Sequence, residues 1–202
     1  MGSSGRIGGA ALIVAAAGTI LGMAHHPTSI ADAHLSQWVH GLLILFLGLT
    51  AFGFAAFCAA SGPGRPAILA GAVAYALAVI GHVGAATVNG SAVAILASRG
   101  EPIGRDTLLL AWDLNQAFAQ LGAVAAGAAV LLWSVDLLGR NSREARLLGL
   151  LGLAAGAVPT VLLVSGAMTM NLSGALVVYA AHSAWAAALG VYLLRQRTVS
   201  AA

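Results

Sequence analysis

Six uninterrupted apolar stretches, each close to the length of a bilayer crossing, leave this chain few ways to fold. They cover residues 7–24, 37–60, 66–89, 107–135, 145–168 and 173–194. A helix needs ~20 apolar residues to cross ~30 Å of hydrocarbon, and it satisfies its own backbone polar groups on the way. A barrel strand would alternate apolar and polar residues, which these runs do not. The expected fold is an all-α integral membrane protein with six transmembrane helices, one polytopic domain over residues 1–202. Only 7% of the residues are charged and 60% are hydrophobic, too little charge to cover a soluble surface. Residues 91–98 add a short apolar run after Asn89-Gly90, read either as a lengthened third helix or as a helix lying on the membrane.

Every basic residue is an arginine. Arg6, Arg65, Arg140, Arg143, Arg146, Arg195 and Arg197 fall on one side of a six-crossing chain, while Arg99 and Arg105 fall on the other beside Glu101 and Asp106. The positive-inside rule then puts both termini in the cytoplasm, in a bacterial-type inner membrane. Spread in this way the arginines make no nucleic-acid patch. The candidate partners are the lipid bilayer, a redox partner or other membrane subunits, and a second copy in a homo-oligomer. A rival reading takes residues 1–24 as a signal peptide ending in Gly22-Met23-Ala24. Its apolar run is long for that role, so a retained first helix is expected. Cys58 is the single cysteine, which excludes an intrachain disulfide and a cysteine-based metal or iron–sulfur site.

The polar residues gather on the side away from most arginines. His25, His26, Asp32, His34 and His40 lie around the first outer connection. His82 and His182 fall roughly 10–14 Å down their helices from that side, at 1.5 Å per residue. Asp113, Gln116 and Gln120 are spaced i, i+3, i+7 and form one stripe, with Asn115 off it. A carboxylate in hydrocarbon costs ~2.5–3.5 kcal/mol, so the Asp113 stripe is expected to face a histidine or water.

Three chemistries suit this layer. Haem b needs axial imidazoles in a slot between helices, and His82 and His182, flanked by Gly81, Gly84, Ala180, Ala181 and Ala184, match in depth. Copper or another transition metal is the alternative. His25, His26, Asp32, His34 and His40 would share the site with Met168 and Met170, because thioether with imidazole favours Cu(I). The third is proton-coupled transport without a cofactor, with Asp113 as the working acid and Pro159, Gly166 and Gly174 as flex points. Against all three stands a structural membrane subunit whose histidines bond only to neighbouring backbone. No phosphate loop, G-x-S-x-G, H-E-x-x-H or C-x-x-C motif occurs.

The remaining aromatic and capping residues read as structure. Trp38, Trp112 and Tyr179 are expected at the outer interface, and Trp133 and Tyr192 at the inner one. Trp185 is expected to pack or to wall a pocket. Asn141 is the expected cap of the fifth helix, with Glu144 in its first turn.

Overall fold

The computed structural model describes residues 3–27, 32–100 and 102–196, so Glu101 and Arg197 lie outside the described residues. Every regular element among them is helical: α1 (Ser3–Ala24), α2 (Ala33–Ser61), α3 (Pro66–Thr87), a π-helical turn (Val88–Val93), α4 (Ala94–Ser98), α5 (Arg105–Leu138), α6 (Arg143–Val164) and α7 (Leu172–Arg195). Six helical spans are long and apolar enough to cross a membrane, as the apolar runs predict. Residues 91–98 extend the third helix, because the π turn carries the chain through Asn89-Gly90 without ending it. Side chains such as Ile80 (60% exposed) and Val161 (62% exposed) point outward from the bundle, as a lipid-facing surface requires.

The helices form two layers. In one, α1 is packed between α2 and α7; in the other, α5 is packed between α3 and α6. Glycines set the spacing inside each layer. A β-carbon on Gly9 would lie 2.7 Å from the Gly190 carbonyl oxygen, and one on Gly156 would lie 2.8 Å from that of Gly127. Gly53 meets Gly8, and Gly81 meets Gly122, in the same way. Backbones this close gain dispersion contacts that lipid cannot supply. Between the layers the α2/α3 and α6/α7 seams are looser.

The end of the bundle holding most of the arginines (the arginine end) is sealed. Asp136, buried on α5, takes Arg65 at 2.8 Å and Arg140 at 2.7 Å. Arg140 also donates to Ser61 Oγ at 2.7 Å and lies over the Phe57 ring. Just inside, Trp133 and Trp185 stack at 6.2 Å, and Phe54 and Tyr75 pack around Trp133 at 4.8 and 5.9 Å. Trp133 and Trp185 bury their indole N–H groups on the carbonyls of Ile68 and Leu148. Trp133 and Tyr192, expected at an interface, are therefore core residues (0% and 8% exposed). The Trp133 N–H is met by the Ile68 carbonyl and its ring by the space at Gly71, so Trp133 needs no headgroup region. Ser142 caps α6 by accepting from the Ala145 N–H, the role expected of Asn141, and Glu144 sits in the first turn as expected.

Candidate functional site

At the opposite end (the histidine end) the layers part around a cavity of about 440 Å³. That volume suits a small molecule or cofactor, for which ~300–1,000 Å³ is usual. Phe54 and Tyr75 line its depth, His82, Tyr179 and His182 its middle, and His26 and His40 its mouth. Among the described residues, no Asp, Glu, Lys or Arg lines the cavity.

The middle is built across the layers. His82 stands on α3, and Tyr179 and His182 stand one turn apart on α7. Counted from the arginine end, His82 and Tyr179 are both about 24 Å along their helices at 1.5 Å per residue. Tyr179 OH lies 3.1 Å from His82 Nδ1, so one ring nitrogen is engaged and Nε2 remains for another partner. Gly122 of α5 makes the seat for this ring, since a β-carbon there would lie 2.7 Å from His82 Nδ1. His182 Nε2 is buried and has no hydrogen-bond partner among the described residues. An orphaned polar atom of this kind costs about 1–3 kcal/mol.

Two amides brace the walls. Asn115 Nδ2 donates to the Ala85 carbonyl at 2.9 Å, and Gln116 Nε2 to the Met170 carbonyl at 3.1 Å. Both fill carbonyls at or near helix ends. Asn115, which sequence spacing sets apart from the Asp113 stripe, is thus the buried member of this part of α5 (8% exposed).

At the mouth, His26 Nε2 lies 3.3 Å from His40 Nε2. His26 Nδ1 is 3.0 Å from the Pro27 carbonyl oxygen, and His40 Nδ1 is 2.8 Å from that of Ser36. Gly90, in the π turn, leaves the space that the His40 ring occupies. Ser36 Oγ donates to the Asn89 carbonyl at 3.3 Å, tying α2 to the same turn. Burial lowers the His26 pKa below its ordinary value, opposed in part by the Pro27 carbonyl. The thioethers of Met23 and Met170 line this cavity as well.

Other sequence candidates lie elsewhere. His25 is exposed and bonds to the Leu21 carbonyl at 2.9 Å, while His34 is exposed and accepts from Trp38 Nε1 at 3.3 Å. Asp32 is exposed before α2 and forms no side-chain cap. Met168 is half-buried and does not line the cavity. Asp113 and Gln120 are exposed on α5, the water-facing arm of the expectation, while Gln116 of the same stripe lines the cavity. The reason is length: Asp113 is about 37 Å from the arginine end of α5 at 1.5 Å per residue, beyond ~30 Å of hydrocarbon. Among the described residues, no group of three or more His, Cys, Asp or Glu could hold a metal ion. Sequence reasoning missed Tyr179 and Asn115. Tyr179 stands three residues before His182, a spacing that shares a helical face and was available as a signal.

Comparison with known protein families, with curated proteins and with solved structures found no match to this chain.

Proposed function

We propose that this is a membrane haem b protein with His82 and His182 as axial ligands, its haem serving electron transfer or a haem-supported reaction. The observation that carries the reading is the orphaned Nε2 of His182, in the same cavity as a His82 whose Nδ1 is already bonded to Tyr179. A ligating histidine usually has its second nitrogen fixed by such a partner. The two histidines belong to opposite layers, and the small residues Ala85, Ala86, Ala119 and Ala175 line the same cavity. Bound there, haem supplies a one-electron couple that no side chain of the cavity offers. The protein would sit in a bacterial-type inner membrane with the arginine end and both termini cytoplasmic, so that the mouth opens outward. Cofactor-free proton coupling finds less support, because among the described residues no acidic side chain lines the cavity.

The test is an absorption spectrum of detergent-purified protein, oxidised and dithionite-reduced, from cells supplied with haem. A Soret band with sharp reduced bands is expected, lost in His82→Ala and in His182→Ala. A featureless wild-type spectrum would remove the reading.

A further inference from the structure

We propose that the cavity mouth is a second, separate site, in which His26 and His40 bind a single Cu(I) ion through their Nε2 atoms. The argument begins with hydrogen positions. A carbonyl oxygen only accepts, so the Pro27 and Ser36 carbonyls require a proton on Nδ1 of both rings. Each neutral ring then has a bare lone pair on Nε2, and the two nitrogens lie only 3.3 Å apart. Two acceptors at that distance repel unless a cation lies beside both. This protonation pattern, with Nδ1–H on a backbone carbonyl and Nε2 free, is the one metal-bound histidines adopt.

The distance also fits a metal. In a regular tetrahedron with metal–nitrogen bonds of ~2.0–2.1 Å, neighbouring ligand atoms are about 3.3–3.4 Å apart. The observed 3.3 Å separation matches that edge, which fits a four-coordinate ion that takes further donors beside the two rings. The ring centroids are 4.8 Å apart and the rings stand at 71° to one another, so they meet at an angle rather than stacking.

The surroundings choose the ion. Among the described residues the site offers neutral donors, with no carboxylate or thiolate lining the cavity, so a monovalent ion carries the smaller burial cost. The thioethers of Met23 and Met170 line the same cavity and are donors that Cu(I) accepts and Zn(II) or Mg(II) does not favour. A proton shared by the two rings would also relieve the lone pairs, and a bicinchoninate complex left intact by the wild-type protein is the outcome that favours it. None of the three side chains behind the haem reading takes part. The site therefore stands or falls independently of haem.

The experiment is an anaerobic competition in which purified protein draws Cu(I) from its bicinchoninate complex, followed by the loss of that complex's colour. One Cu(I) per chain is expected, with affinity falling at least about 100-fold in His26→Gln and in His40→Gln. His25→Gln and His34→Gln should bind as wild type does, as should the His82→Ala/His182→Ala protein without haem. Equimolar Zn(II) should not displace the copper. Wild-type protein that leaves the complex intact, unchanged binding in His26→Gln, or displacement by Zn(II) would each overturn the assignment. His26→Gln lies in a connection between helices, so it reads the site even if His40→Gln disturbs the contact of α2 with the π turn.

Discussion

At the scale of single residues, the middle of the cavity is held by contacts that have few alternatives. Tyr179→Phe removes one hydroxyl from the His82 ring and leaves the packing surface intact. Loss of such an orienting partner typically weakens metal binding by 10–100-fold. Haem titration of the variant should show a drop of about that size, with unchanged helicity; equal affinity would detach Tyr179 from the site. Gly122→Ala is a harsher change, because the added methyl meets both the ring and the backbone of His82. Overpacking of this kind costs about 1–3 kcal/mol. Thermal unfolding in detergent should register that loss, and the haem spectrum should weaken with it, while Gly48→Ala, in open space, should change neither.

At the scale of helices, Asp136 is the residue on which the arginine end depends. Its carboxylate is 3% exposed and holds Arg65 and Arg140, so Asp136→Ala leaves Arg140 partly buried beside nothing of opposite charge. Breaking a buried pair costs about 3 kcal/mol or more. Arg65→Ala, whose side chain is half exposed, should cost under about 1 kcal/mol. Chemical denaturation of the two variants checks the ranking. Equal losses would mean that the three groups share the burden evenly. These helices also explain how far the sequence could be read. The six crossings follow from run length alone, because hydrocarbon thickness fixes it. Which face looks inward does not follow, since lipid and core are equally apolar and polarity no longer marks the interior. Of the stripe Asp113, Gln116 and Gln120, only Gln116 reaches the cavity, and nothing in the residue types told it from the other two. The better marker on α5 is small size: Ala119, Gly122, Ala123, Ala126 and Gly127 make the buried face, and Asn115 continues it. Asn89-Gly90 read as a break because a π turn accommodates residues that an α-helix would expel. His82 and His182 were legible as a deep pair from their positions along the helices. That His26 and His40, but not His25 and His34, would meet was not, since it depends on how the first connection folds back.

At the scale of the whole molecule, the sealed and open ends make the bundle polar along its axis. If the arginine end is cytoplasmic, Asn141→Cys in a Cys58→Ala background should react with an impermeant maleimide only after the cells are opened. Labelling of intact cells would reverse the orientation. The layers carry a further consequence, for the order in which the molecule can be made. α3, α5 and α6 are neighbours in the chain and can pack against one another once α6 has left the ribosome. The other layer joins α1 and α2 to α7, so it stays incomplete until the last helix is inserted. His182 and Tyr179 arrive with that helix. Whatever His182 and Tyr179 hold must therefore be loaded after α7 is in place, and a chain stalled before α7 would expose the glycine face of α1 to lipid or to a quality-control protease.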